Sequence, residues 1–234
     1  MRGTVEKETV EYSEEIPIQY REGKASFMGM DVLVDPRVLI PRPETELLVS
    51  VVARLCREKG WKAPLILDVG TGSGAVSMGL VKLMSSSLVI ASDISGEALC
   101  VAKKNIENLG YEKNITLVKS DMFRRFREGY HETFDIIVSN PPYVSENDYE
   151  KLDAWVKAEP RIALHAGAEG MDCLNILAEE SSDYLKKGGF LAVEVGYDQA
   201  GKMKGKLASA GFVDIASFKD AGSHERVIIG RKNG

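Results

Sequence analysis

The stretch Leu65-Ile66-Leu67-Asp68-Val69-Gly70-Thr71-Gly72-Ser73-Gly74 decides how the chain folds. Leu65–Val69 is apolar apart from Asp68, the composition of a strand buried on both faces of a parallel sheet. The glycines that follow can take positive φ and let a ligand approach closer than a Cβ permits. A helix is expected to begin near Ala75. Ser73 does not form a hydrolase elbow, because Thr71 and Ala75 stand where that motif needs glycine. Three further apolar runs, Leu88–Ala91, Phe134–Val138 and Phe190–Val195, are bounded by Gly, Ser, Asp or Asn. With helical patterns between them, they predict a doubly wound α/β sheet with right-handed crossovers. Its ligand is then expected outside the carboxyl ends of the strands, at the switch point.

The clearest helix is predicted over Gly96–Leu109, with Ala98, Val101, Ala102, Ile106 and Leu109 on one face, Ser95 as N-cap and Gly110 as stop. Upstream, Ile18–Leu39 alternates loosely, with turn signals at Glu22-Gly23 and Met28-Gly29, and predicts a small hairpin. A helix over Glu44–Glu58 follows, apolar at Leu47, Leu48, Val51, Val52 and Leu55. Beyond Gly189 the pattern is strand, helix (Gln199–Ala210), strand (Phe212–Phe218) and then His224–Gly230, the last two able to pair as a hairpin.

At 234 residues the chain is long enough for one core domain with a short appendage. Thirty basic against thirty-five acidic residues give a net charge of −5, and no Lys/Arg run exceeds two. Direct nucleic-acid binding is therefore not expected, since phosphates need a clustered positive surface. Cys56, Cys100 and Cys173 are far apart and form no Cys-x-x-Cys pair, and His131, His165 and His224 are scattered, so no metal is expected. Met1–Glu15 is charged and holds no apolar signal segment, and nowhere do roughly 18 apolar residues run together. The sequence predicts a soluble, cytoplasmic protein without membrane contact.

Asp93 ends the second strand 25 residues after Asp68, where a carboxylate can accept from both hydroxyls of a ribose. Gly70-x-Gly72-x-x-Ala75 also satisfies the loose dinucleotide fingerprint, which leaves a nicotinamide cofactor and S-adenosylmethionine both open at this point. After an expected strand Ile115–Val118, Asp121-Met122-Phe123 offers apolar side chains against which an adenine could lie, or a plain loop.

Ser139-Asn140-Pro141-Pro142-Tyr143 falls at the same carboxyl edge. Two prolines in succession hold a rigid turn that displays carbonyl acceptors and no competing N–H donor. Such a turn suits an NH2 group. The nitrogen of an amide or aryl amine is a poor nucleophile because its lone pair is delocalised. The Asn140 side-chain oxygen and the Pro141 carbonyl can each accept one N–H and turn that lone pair toward an electrophilic methyl. Tyr143 is positioned to stack on the flat group. Hydride transfer has no use for this turn.

With these residues in view, the chain resembles the HemK/PrmC family of protein-(glutamine-N5) methyltransferases. The resemblance covers most of the length. It rests on Pro17–Tyr20, Val38–Glu46 with its Pro41-Arg42-Pro43-Glu44-Thr45-Glu46, Asp68–Gly74, Asn140–Tyr143, Glu159–Leu164, Glu194-Val195-Gly196 and Glu225-Arg226-Val227. It implies a class I S-adenosylmethionine-dependent methyltransferase fold, Rossmann-like, with a seven-stranded sheet whose last strand is antiparallel. It divides the chain into an N-terminal extension and hairpin (1–42) and a catalytic domain (43–234). The implied substrate is the glutamine of the Gly-Gly-Gln loop of a peptide-chain release factor. Gly70, Thr71, Gly72, Ser73 and Gly74 would line the methionine moiety, Asp93 would hold the ribose, and Met122 would flank the adenine. Asn140, Pro141, Pro142 and Tyr143 would receive the glutamine, with Asn140 also beside the cofactor, and Arg42 and Glu44 would shape the pocket wall. Three departures stand out: only sixteen residues precede Pro17, where relatives usually carry a helical domain; Met122 replaces a common aromatic residue; and Ala166 replaces a frequent glycine. The alternatives are a ribosomal-protein glutamine as acceptor, an adenine-N6 methyltransferase acting on nucleic acid, and a non-catalytic docking paralogue.

Overall fold

The computed structural model describes residues 16–234, so the first part of the predicted extension, residues 1–15, lies outside the described residues. The elements run α1 (Ile18–Glu22), β1 (Lys24–Phe27), β2 (Met30–Leu33), α2 (Thr45–Lys59), β3 (Leu65–Val69), α3 (Ala75–Leu83), β4 (Leu88–Asp93), α4 (Gly96–Leu109) and β5 (Ile115–Lys119). They continue with β6 (Phe134–Ser139), three short helices α5 (Glu146–Glu150), α6 (Ala154–Lys157) and α7 (Arg161–Leu164), then α8 (Asp172–Tyr184), β7 (Leu185–Glu194), α9 (Ala200–Ser209), β8 (Phe212–Lys219) and β9 (Glu225–Lys232).

Strands β3 to β9 make one seven-stranded sheet in the order β5-β4-β3-β6-β7-β9-β8, in which β9 runs antiparallel to both of its neighbours. Side chains alternate across it. Ile66, Ile136, Val138, Phe190 and Ala192 enter a core shared with α2, α3, α4 and the β1–β2 hairpin. Leu67, Ile137, Leu191 and Val193 enter a second core with α8 and α9. Both faces are dry, which is why β3, β6 and β7 read as continuous apolar runs rather than alternating ones. From β3 the chain moves outward to β4 and β5, then returns to β6 on the other side of β3. The crevice at the carboxyl ends of β3 and β6 is therefore the switch point.

Local chemistry explains most element ends. Helix α4 spans the predicted residues, with Ser95 Oγ accepting from the Ala98 N–H at 3.1 Å and Gly110 closing it at φ 72°. The hairpin is shorter than expected. Its two-residue turn is Met28-Gly29, both at positive φ, as the right-handed twist of paired strands favours. Ile18–Glu22 is one turn of helix rather than a strand, and Gly23, at φ 72°, is its left-handed cap rather than a second hairpin turn. Lys82 donates to the Met28 carbonyl at 2.8 Å, and Glu46 accepts from the Met28 N–H at 2.6 Å. The hairpin is thereby clamped to α3 and α2.

Candidate active site

The base of the site is the glycine turn after β3. Gly70 and Thr71 both donate their N–H groups to the Ser92 carbonyl, at 2.8 and 2.9 Å, which welds the turn to the end of β4. Gly70 and Gly72 sit at φ 75° and 55°, and a Cβ at either would meet nothing within 4 Å, so both face open space. Gly74 differs: at φ 83° it turns the chain into α3, and its missing Cβ faces Ala102 of α4 at 3.4 Å. Behind the turn, buried Asp68 accepts from Thr71 Oγ1 at 2.7 Å and Ser77 Oγ at 2.5 Å. Burial pushes the Asp68 carboxyl up to about 6, against the pull of those hydroxyls.

Asp93 closes the turn from β4. Its Oδ2 accepts from Gly72 N–H at 2.9 Å and its Oδ1 from Ser95 N–H at 2.8 Å. Burial raises its pKa, and these backbone donors oppose the rise. A carboxylate oxygen has two lone pairs, so each Asp93 oxygen keeps one acceptor site beyond its backbone partner.

A cavity of about 250 Å³ opens over these groups. Of the residues singled out from the sequence, Gly70, Gly72, Asp93, Met122, Asn140 and Pro142 line it. Thr71, Ser73, Gly74, Pro141 and Tyr143 stand behind that lining. Thr71 holds Asp68, and the Ser73 carbonyl accepts from Asn105, which also bonds both backbone groups of Leu33 in the hairpin. Tyr143 is turned inward rather than laid along the cavity: its hydroxyl donates to Glu194 Oε1 at 3.3 Å and its ring packs on the core under α8 and α9. Met122 is held at positive φ by a loop in which Ser120 Oγ donates to its carbonyl at 2.8 Å.

Asn140 directly follows β6, whose last residue ties it to β3 by Ser139 Oγ donating to the Val69 carbonyl at 2.7 Å. Its Nδ2 donates to Thr45 Oγ1 at 3.0 Å. With the donor end of the carboxamide taken, Oδ1 is the end left to accept from a ligand. Pro142 beside it contributes no N–H. The site can therefore accept an N–H of a ligand nitrogen at Asn140 Oδ1.

The opposite wall is built from segments far apart in sequence. Arg37, Val38 and Leu39 line the cavity, as do Ile162 and His165 of the segment after Glu159. Glu159, fully buried, joins the two: it accepts from the Ile40 N–H at 2.9 Å and from the Arg42 guanidinium. Arg42 thus shapes the wall from behind, through Glu159. Glu44 immediately precedes α2 and makes no side-chain cap. Sequence reasoning missed Ile94, which lines the cavity beside Asp93 although 45% exposed; its place directly after that carboxylate was the available signal. It also missed Thr45 and His165, for which no local signal existed. Among the described residues, no group of His, Cys, Asp and Glu is placed to hold a metal, and no helix is long and apolar enough to cross a membrane.

Comparison with known proteins is consistent with this geometry. Residues 62–212 match the family model described as a methyltransferase domain. The chain is 39% identical over 220 residues to a release factor glutamine methyltransferase of Clostridium acetobutylicum, covering 94% of this chain and 76% of that protein. To the protein of the same name in Koribacter versatilis it is 41% identical over 221 residues, covering 92% and 75%. Among solved structures, a methyltransferase from Pyrococcus furiosus superposes with a TM-score of 0.63 at 24% identity, covering 93% of this chain and 95% of that one.

Proposed function

The chain belongs to the family of release factor glutamine methyltransferases, and on that premise we propose that it methylates the side-chain nitrogen of a glutamine in a peptide-chain release factor, at the Gly-Gly-Gln loop. The observation that carries this reading is the Asn140 carboxamide at the cavity, its donor end held by Thr45 and its acceptor end free.

The residues present fit S-adenosylmethionine. Gly70 and Gly72 leave a cradle that a side chain would fill, and Asp93 keeps two acceptor sites for ribose hydroxyls. Met122 and Ile94 offer apolar surface for an adenine. When bound, this cofactor supplies the methyl group, as an electrophilic carbon on a sulfonium.

The chain's own part is capture and orientation. Asn140 Oδ1 accepts one N–H of the glutamine amide, which orients the nitrogen at the cavity. Holding a reactant in that attitude removes rotational freedom before reaction, a gain worth several kcal/mol. No side-chain base is required, because the nitrogen becomes acidic once it has been alkylated. We place the activity in the cytoplasm, and the net charge of −5 supports a protein substrate over a nucleic acid.

Incubation with S-adenosylmethionine and a release factor, followed by peptide mass mapping, tests the reading. The expected result is a gain of about 14 Da, one CH2, on the loop glutamine. No gain there, with the cofactor demonstrably bound, rejects that substrate.

A further inference from the structure

The turn that carries Asn140 is poorly equipped to brace itself. Pro141 and Pro142 have no N–H, so two of the four residues Asn140–Tyr143 can donate no backbone hydrogen bond and the turn has to be held at its ends. The near end is Ser139, bonded to the Val69 carbonyl. The far end is Tyr143, and two pins reach it from the junction between β7 and α9. Glu194 Oε1 accepts from its hydroxyl at 3.3 Å, and Gln199 Nε2 donates to its carbonyl at 2.9 Å.

Gln199 is an unexpected residue for its place. It stands at the N-cap of α9, where Ser, Thr, Asp or Asn would bond the first N–H groups of the helix, yet its side chain makes no such cap. The carboxamide, nearly completely buried, is committed elsewhere. Its Nε2 bridges two carbonyls, Tyr143 at 2.9 Å and Gly170 at 3.0 Å, and its Oε1 accepts from the Gly196 N–H at 2.9 Å. A backbone carbonyl only accepts and a backbone N–H only donates, so these partners admit one attitude of the amide. Two glycines make room for it. A Cβ on Gly196 would lie 2.9 Å from Gln199 Oε1, and one on Gly170 would lie 2.9 Å from Gln199 Nε2 and 2.3 Å from the Tyr143 carbonyl oxygen.

The bridge joins two sides of the cavity. Just past Tyr143, Val144 donates to the Leu164 carbonyl at 2.9 Å and its own carbonyl accepts from the Ala166 N–H at 2.9 Å. That second strip carries Ile162 and His165 of the opposite wall. Resting on the glutamine reading above, we propose that Gln199 is a positioning residue for methyl transfer: by bridging the Tyr143 and Gly170 carbonyls it fixes the far end of the Asn140–Tyr143 turn, and with it the direction in which Asn140 presents its oxygen. Gln199 does not line the cavity, and the cofactor cradle is braced separately by Asp93 and the Ser92 carbonyl. Its loss should therefore act on turnover and spare cofactor affinity.

The test compares Gln199→Glu and Gln199→Met, in the full chain, with Met203→Ala, a core change on the same helix. At pH 8 glutamate keeps the length and the acceptor but loses both donors, and methionine removes all three bonds. Hydrogen exchange followed by NMR should accelerate at least about tenfold more at the Val144 and Ala166 amides than across the β3–β6 ladder in both Gln199 variants, and not in Met203→Ala. At saturating substrates and well below each melting midpoint, kcat should fall at least about tenfold in both Gln199 variants, with S-adenosylmethionine affinity within about twofold of the wild type. Met203→Ala should keep kcat within about threefold, which separates loss of position from loss of stability. A folded Gln199 variant with kcat within about threefold of the wild type, an equal loss in Met203→Ala, or exchange no faster at Val144 and Ala166 than elsewhere would overturn the proposal. If exchange behaves as expected while the wild type leaves the release factor unmethylated, the bridge stands and the substrate reading falls.

Discussion

The two halves of the cavity are held in different ways. The β3–β4 half, from Gly70 to Ser95, is braced by contacts that are short in sequence and largely made by backbone: Asp93 reaches Gly72 across 21 residues and Ser95 across 2. The β6 half is braced by side chains from remote segments. Asn140 rests on Thr45 across 95 residues, and Glu159 grips Ile40 across 119 and Arg42 across 117. A cofactor cradle can thus be assembled by one local turn, whereas the substrate corner exists only once α2, β6, β7 and the segment before α7 have met. Damage to the first half should appear mainly as lost cofactor affinity. Damage to the second should appear as lost stability or turnover.

The largest expected effect lies in the second half. Glu159→Ala strands the Arg42 guanidinium and the Ile40 N–H. Breaking a buried ion pair costs about 3–5 kcal/mol, and with the Arg42 side chain 27% exposed the lower end applies. For a chain of this size about 3 kcal/mol lowers the melting temperature by roughly 6–12 °C. A melting curve superimposed on the wild type would show that the wall does not depend on this pair.

Asn140→Ala comes next, with turnover reduced at least about a hundredfold, near 2.7 kcal/mol, and cofactor affinity almost unchanged. Equal losses in both quantities would erase the division between the halves. Asp93→Ala is the mirror case. It should weaken S-adenosylmethionine binding by about 1–3 kcal/mol, as loss of a charged acceptor does, while turnover at saturating cofactor falls much less. Calorimetric titration measures the first and initial rates the second.

The smallest effect sharpens the contrast within one turn. Gly74→Ala forces a side chain onto a φ of 83° and should cost about 1 kcal/mol of stability. Because Gly74 stands behind the lining, cofactor affinity should hold. Gly72→Ala instead projects a methyl into open space at φ 55° and should lower affinity as well as stability. Identical behaviour of the two variants would contradict the placement of Gly72 at the cavity and Gly74 behind it.

The same division governs what could be read from the sequence. The glycine turn, Asp93, α4 with its Ser95 and Gly110 caps, and β3 with both faces buried were legible because spacing, capping and strand composition are local properties. Ile18–Glu22 was misread because a glycine that caps one helical turn looks, in sequence, like a glycine between two strands. Helix α8 and the three short helices before it were not assigned. Each of those three spans only four or five residues, too few for a period to declare itself. Tyr143 invites a reading as a stacking ring, and its inward turn is decided by Glu194, 51 residues away. Thr45 sits inside a helix-start pattern that any threonine could satisfy, so nothing before the fold reveals its bond to Asn140.

The central claim is that Asn140 presents an oxygen, not an NH2 group, to a glutamine amide. It is tested most directly by a structure of this protein with a Gly-Gly-Gln peptide and the demethylated cofactor. The glutamine nitrogen is expected about 2.6–3.2 Å from Asn140 Oδ1, with Nδ2 still on Thr45. A glutamine nitrogen lying elsewhere, or an Asn140 carboxamide turned with Nδ2 toward the peptide, would contradict it.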